Sequence, residues 1–230
     1  MKTGWEQRLQ GGLIVSCQAR PDSPLRDSRI IAALARCAER GGAVGVRIDG
    51  PEDIEAVRRI VAVPIVGLYK VARDRPVYIT PTFEDARAVA RAGADIIAVQ
   101  ATRERATDRG AEPLAELIAR IHATLRLPVM ADVSTLDEGR AAAASGADLV
   151  ATTMAGYTSH SRHLRGPDLK LIRELAGVAA VPIEAEGRIT TPEDAAAARR
   201  AGAFAVVVGR AITMPDEITA RFVSALGGVI

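Results

Sequence analysis

The segment Ala88-Val89-Ala90-Arg91-Ala92-Gly93-Ala94-Asp95-Ile96-Ile97-Ala98-Val99 decides the fold, because the chain writes it four times. The other copies are Leu34-Ala35-Arg36-Cys37-Ala38-Glu39-Arg40-Gly41-Gly42-Ala43-Val44-Gly45-Val46-Arg47, Ala141-Ala142-Ala143-Ala144-Ser145-Gly146-Ala147-Asp148-Leu149-Val150-Ala151-Thr152 and Ala197-Ala198-Arg199-Arg200-Ala201-Gly202-Ala203-Phe204-Ala205-Val206-Val207-Val208. Each reads as the end of a helix rich in Ala and Arg, then a glycine able to take the left-handed conformation that stops a helix, then a short apolar strand. The strand carries no polar alternation, as expected where both of its faces are buried. Helix, tight turn and buried strand make half of a βαβ unit.

Between these copies lie four more apolar runs: Leu13-Ile14-Val15-Ser16-Cys17-Gln18, Val63-Pro64-Ile65-Val66-Gly67-Leu68, Leu127-Pro128-Val129-Met130-Ala131 and Val181-Pro182-Ile183-Glu184-Ala185. Three begin with Val or Leu followed by Pro, a residue tolerated where a strand starts and no ladder donor is yet needed. Thr82-Phe83-Glu84-Asp85, Ser134-Thr135-Leu136-Asp137 and Thr191-Pro192-Glu193-Asp194 each set a hydroxyl cap ahead of acidic residues in a first helical turn. Eight strands alternating with about as many helices allow a closed parallel barrel or an open doubly wound sheet. The regular two-step repeat, without the interruption a switch point would bring, favours the closed (β/α)8 barrel. With no linker and no shift of composition, residues 1–230 read as one domain, opened by a short helix at about residues 4–10.

Composition narrows the function. Hydrophobic residues make up 48% of the chain, which argues against disorder, and 30 basic against 28 acidic residues leave a formal charge of +2 without a basic block. Aromatics are only 3%, too few for a base-stacking platform, so nucleic acid is not an expected partner. No apolar stretch approaches the roughly 20 residues needed to span a bilayer. Cys17 and Cys37 form no metal-like or redox pattern, and the N-terminus lacks signal-peptide form, which points to the cytoplasm. Barrel helices often pair, which leaves a homodimer open.

In such a barrel the active site forms at the C-terminal ends of the strands. Gln18, Arg47, Lys70, Gln100, Asp132, Thr153, Glu186 and Arg210 are expected there, a crowd of cations and carboxylates suited to acid–base chemistry. Lys70 is either a solvated lysine at a strand exit or a base, its proton loosened beside Arg47 in a partly dry site. Glu184 and Glu186 share a face by the strand period of two. Glu186, next to Gly187, is the one expected to meet substrate, and Glu184 is left as a buried polar residue deeper in the barrel. Asp132 is either a helix cap or an acid that orients Lys70 or assists ring opening. Arg47, within an apolar run, requires a partner. Gly187-Arg188 and Gly209-Arg210, after the last two strands, are expected to bind phosphate through exposed backbone N–H groups and a guanidinium fork. None of His122, His160 and His163 ends a strand, so no metal site and no cofactor is expected.

Several of these segments resemble the N-acetylmannosamine-6-phosphate 2-epimerase family of the ribulose-phosphate-binding barrels. They are Gly12-Leu13-Ile14-Val15-Ser16-Cys17-Gln18-Ala19, Gly45-Val46-Arg47-Ile48, Val66-Gly67-Leu68-Tyr69-Lys70, Val77-Tyr78-Ile79-Thr80-Pro81-Thr82, Met130-Ala131-Asp132-Val133-Ser134-Thr135, Ala151-Thr152-Thr153-Met154-Ala155-Gly156-Tyr157-Thr158 and Ala185-Glu186-Gly187-Arg188-Ile189. The resemblance runs in register from about Gly12 to Met214. It implies a cofactor-free isomerase of amino-sugar and sialic acid breakdown, inverting C2 of a small-molecule sugar phosphate. Lys70 and Glu186 match the family's acid–base pair, Gln18, Arg47 and Asp132 its substrate contacts, and Arg210 with the adjacent glycines its phosphate grip. One departure is visible: Gln100-Ala101-Thr102 stands where the family has Asp-Ala-Thr. Two other readings fit the same barrel, a metal-dependent pentulose-phosphate 3-epimerase and a non-catalytic sugar-phosphate sensor.

Overall fold

The structure is a computed structural model that describes residues 4–71 and 75–227; the ends of the 1–230 span lie outside the described residues. Eight parallel strands close into a barrel in simple sequence order: β1 (Leu13–Cys17), β2 (Gly45–Asp49), β3 (Ile65–Leu68), β4 (Ile96–Gln100), β5 (Val129–Asp132), β6 (Leu149–Ala151), β7 (Ile183–Glu186) and β8 (Ala205–Val208), with β8 pairing back onto β1. The helices are α1 (Gly4–Leu9), α2 (Ser28–Arg40), α3 (Pro51–Arg58), α4 (Phe83–Arg91), α5 (Leu114–Arg120), α6 (Leu136–Ala144), α7 (Leu169–Val178), α8 (Pro192–Arg200), α9 (Arg210–Thr213) and α10 (Pro215–Ala225). Closure leaves no sheet edge exposed.

The repeated phrase does the same work at each copy. Gly42, Gly93, Gly146 and Gly202 all take positive φ, between 95° and 108°, and end α2, α4, α6 and α8 before the chain drops into a strand. The aspartate after the glycine serves the neighbouring strand. Asp95 accepts from the Ile65 N–H at 2.8 Å, and Asp148 from the Val129 N–H at 2.7 Å. Both donors open Pro-led strands. The carbonyl of the preceding proline takes up the other side of the joint: Pro64, Pro128 and Pro182 accept from Val46, Ile97 and Val150 at 3.0 Å. The two-step pattern of Gly-Ala-Asp strands and Pro-led strands is therefore a hydrogen-bonding arrangement that secures strand starts in pairs. Thr82, Thr135 and Thr191 each form a reciprocal capping box, with Asp85, Glu138 and Asp194 respectively.

Alternation along each strand divides the core. One set of side chains, among them Val15, Ile48, Ile65, Val99 and Ala131, packs outward against Ile31, Ile54, Phe83, Leu117 and Leu175 of the helices. The other set, including Ile14, Val66, Ile96, Met130, Leu149, Ala205 and Val207, fills the barrel interior. Leu9 of α1 belongs to this interior set and is fully buried. Room for it comes from Gly45, where an added Cβ would lie 2.9 Å from the Leu9 side chain. Opposite this apolar end, the interior turns polar.

Candidate active site

The interior faces of the strands continue upward into Ser16 and Gln18 of the β1 exit, Arg47 and Asp49 of β2, Lys70 beyond β3, Asp132 of β5, Thr153 beyond β6, and Glu184 and Glu186 of β7. Above them opens a pocket of about 590 Å³, a usual size for a small-molecule site. Gln18, Arg47, Lys70, Thr153, Glu186, Gly187, Arg188, Gly209 and Arg210 all contribute to its lining. Asp132 lies beneath, fully buried.

Arg47 organises the floor. It is placed in the middle of β2 rather than at a strand exit, with only 1% of its side chain exposed. Its Nη2 lies 2.5 Å from Asp132 Oδ2, its Nη1 3.0 Å from Asp132 Oδ1, and the same Nη1 2.9 Å from Glu186 Oε2. The two-pronged contact with Asp132 satisfies the partner that burial demands of both charges. These carboxylates hold the guanidinium's proton more firmly than usual, against the opposing effect of burial. Asp132 is therefore engaged with Arg47 and Thr153; the cap of α6 is Thr135.

Thr153 joins the two acids. Its hydroxyl oxygen lies 2.7 Å from Asp132 Oδ1 and 3.0 Å from Glu186 Oε2. One hydroxyl has one proton, so it can donate to only one carboxylate. With Asp132 ionised against Arg47, both contacts are hydrogen bonds when Glu186 carries a proton and donates to Thr153. Burial, the largest influence, raises the Glu186 proton affinity; Asp132 reinforces it, while Arg47, Thr153 and Lys70 oppose it. A carboxyl whose proton affinity is raised at the edge of a pocket is suited to donate a proton there.

Lys70 enters from the opposite wall. In a ring of eight strands, β3 and β7 are four places apart and face each other across the axis. The Lys70 N–H donates to Asp49 Oδ1 at 2.9 Å, and its ammonium donates to Gln18 Oε1 and lies 3.9 Å from Asp49 Oδ2. Gln18 is held in turn by donating to Ser16 Oγ at 3.0 Å. The charge of Arg47 is directed to Asp132 and Glu186, so the neighbours that orient Lys70 are Gln18 and Asp49. Ser16 and Asp49 were not singled out in the sequence, although the period of two puts them on the faces of Gln18 and Arg47.

Gln100 does not line the pocket. It accepts from the Tyr78 N–H at 3.0 Å and donates to the Pro76 carbonyl at 2.8 Å and to Thr102 Oγ1 at 2.9 Å. It thereby pins the excursion after β3, which returns antiparallel to Lys70 through Ile79 and carries Thr80 at φ 45°. An ionised carboxylate has no hydrogen to give Pro76, so the amide suits this support.

The residues at the β7 and β8 exits differ in their engagement. Arg188 donates through Nε to the Gly166 carbonyl at 3.0 Å and through Nη1 to Ala155, which braces the loop after β6. The Arg210 Nε donates to Glu217 of α10 at 2.7 Å, and its side chain is 65% exposed. Gly209 lets β8 close on β1, since a Cβ there would meet Ser16 at 3.2 Å.

His160, which ends no strand, meets two carboxylates in the loops. Its Nε2 lies 2.9 Å from Glu138 and its Nδ1 3.2 Å from Glu104. Glu138 also accepts from the N–H groups of Arg103, Ser134 and Thr135 and from the Ser134 hydroxyl. These bonds hold its carboxylate below the usual range despite burial. The oxygens are committed to joining the loops after β4, β5 and β6, away from the pocket lining. Among the described residues this is the one cluster of His and carboxylates with metal-ligand spacing.

Comparison with known proteins gives the family and the fold. The family described as "Putative N-acetylmannosamine-6-phosphate epimerase" matches residues 31–228. Relatives of that description from Caldanaerobacter subterraneus and Thermosynechococcus vestitus are 49% and 51% identical, over 95% of this chain and 92% and 95% of theirs. The solved N-acetylmannosamine-6-phosphate 2-epimerase from Clostridium perfringens superposes with a TM-score of 0.91 at 37% identity, covering 98% of this chain and 97% of the other. A thiamine phosphate pyrophosphorylase from Pyrococcus furiosus, at 17% identity and a TM-score of 0.62, shares the fold alone. This chain belongs to the N-acetylmannosamine-6-phosphate epimerase family.

Proposed function

We propose that the protein interconverts N-acetylmannosamine 6-phosphate and N-acetylglucosamine 6-phosphate by moving the proton at C2 of the open-chain sugar. The observation that carries this reading is the placement of Lys70 and Glu186 on opposed strands, both facing one pocket. Inversion needs a proton removed from one face of C2 and another delivered to the opposite face. The C2 proton is acidic only because the C1 aldehyde can take the charge as an enediolate. In one direction Lys70, as the free amine, removes the proton and Glu186 returns one; in the other, the carboxylate removes it and the ammonium returns one. Gln18 and Asp49 aim the amine, and Thr153 and Arg47 aim the carboxyl. Arg47 also supplies positive charge beneath the forming enediolate.

The phosphate end is assigned to Gly187-Arg188 and Gly209-Arg210, at the exits of the last two strands. Arg188 shapes that wall through its backbone contacts, and Arg210, still largely exposed, turns to the anion by exchanging Glu217 for it. A substrate of this kind places the reaction in the breakdown of amino sugars such as sialic acid. No helix of the described residues is long and apolar enough to cross a membrane, and the free Cys17 and Cys37 fit the reducing cytoplasm. A second copy of this chain would pair through α10, which buries none of its residues and exposes Phe222; light scattering of the purified protein reads that stoichiometry.

The decisive assay is proton NMR of N-acetylmannosamine 6-phosphate in D2O, with and without chelator. Conversion with deuterium entering C2 is expected in both. Lys70→Ala and Glu186→Gln are each expected to reduce turnover by about 10²–10⁴-fold. Full conversion without label would rule out the proton-transfer scheme, and loss of activity to the chelator would transfer the case to a metal-assisted epimerase.

A further inference from the structure

One buried acid has no part in the scheme above. Glu184 lies two residues before Glu186 on β7, on the same interior face, and is 0% exposed. Its strand partners in register are Ala151 of β6 and Ala205 of β8, small side chains that leave it space. Neither of its carboxyl oxygens has a hydrogen-bond partner among the described residues. Comparable interior positions hold Met130, Leu149 and Val207, which fill such a space without desolvating a polar group. An acid maintained there against that cost calls for a reason.

Its surroundings supply one. The charged groups acting on it are Arg47 from β2, Asp132 from β5 and Glu186 from its own strand. Asp132 is matched to Arg47, and Glu186 is the carboxyl that exchanges a proton with substrate. With Glu184 neutral, the floor beneath Glu186 holds one cation matched by one anion, Arg47 and Asp132. Once Glu184 ionises, a negative charge with no matching cation lies under Glu186. Glu186 then gives up its proton less readily, and the forming enediolate faces an added negative charge. Burial, with Glu186 and Asp132 adding to it and Arg47 opposing, pushes the Glu184 proton affinity up to a pKa of about 8.

We infer that Glu184 is a positioning residue for the epimerisation, a neutral acid one layer below Glu186 whose ionisation shuts the reaction down on the alkaline side. The inference rests on the proposed reaction, and its test separates the two. Turnover is followed against pH for the wild type, Glu184→Gln and Glu184→Leu. In the wild type an alkaline decline is expected near pH 8, steepening to about tenfold per pH unit as a single proton is lost. Both variants should lack that limb, with KM little changed. Infrared titration should show, in the difference between the wild type and Glu184→Gln at neutral pH, a protonated-carboxyl band that fades over the same range. The same alkaline limb in all three proteins, or no such difference band at neutral pH, would overturn the inference. The difference band reads Glu184 directly, apart from Glu186. Its presence in a protein that leaves the sugar phosphate unchanged would therefore support the neutral acid and defeat the reaction instead.

Discussion

The two ends of one barrel interior are built on different physics. At the N-terminal end, Leu9, Ile14, Ile96 and Leu149 meet as an apolar plug with no polar side-chain atom to satisfy. At the C-terminal end, Arg47, Asp132, Glu184 and Glu186 occupy the same kind of interior position, the first three 1% exposed or less. The plug gains free energy from every apolar contact and tolerates approximate shape. The polar end gains little net stability, because desolvating its charges offsets most of their attraction, and it depends on each partner being present. The difference teaches where stability and chemistry have been separated within one fold: the eight strands are held from below and outside, which lets the upper layer keep charges that would not assemble unaided.

Three perturbations sharpen or break this contrast. The largest effect is expected for Arg47→Met, which leaves Asp132 buried and Glu186 half-buried without their cation. A loss of about 3–5 kcal/mol in unfolding free energy is expected, together with collapse of turnover, measured by urea denaturation and the NMR assay. An Arg47→Met protein as stable as the wild type would show that the upper layer is not held by charge. Leu9→Ala should act on stability alone, costing about 2–5 kcal/mol through the cavity it opens while KM stays unchanged; a shifted KM would mean that the two ends are mechanically coupled.

The smallest effect is in the pH dependence of stability. Glu184 and Glu186 hold their protons in the folded state to higher pH than in the unfolded chain. Their contribution is therefore complete below the unfolded carboxyl range and is lost as pH rises toward about 8 for Glu184. The slope is at most about 1.4 kcal/mol per pH unit for each group. Glu138 and Asp194, held below the usual range, act with the opposite sign in another window, since their contribution is lost as acid protonates them. Stability should thus peak in mildly acidic solution. Glu184→Leu should flatten the alkaline side of a urea-midpoint series; an unchanged slope would show that Glu184 ionises equally in both states.

Much of this organisation could be read directly. The positions Gly93, Gly146 and Gly202 announce helix ends, and the capping threonines announce helix starts, because both act through local backbone geometry. The alternation in Ile183-Glu184-Ala185-Glu186 placed two acids on one interior face. Harder to read were the partners. Arg47 was expected at a strand exit beside Lys70, and it lies mid-strand against Asp132 and Glu186, 85 residues away in the case of Asp132. Arg210 turned out to be held by Glu217 of α10, and His160 by Glu104 and Glu138 from two other loops. Each of these pairings depends on which exits become neighbours once the ring closes, and no local pattern records that.

The sequence by itself determined the barrel, its strand order and the list of ionisable side chains on the interior faces, because helix stops, caps and strand alternation are properties of a few consecutive residues. Tertiary structure alone decided how those side chains divide one cation among several acids. Proton affinities depend on burial and on charges brought within a few ångströms by strands far apart in the chain, and only the closed ring sets those distances.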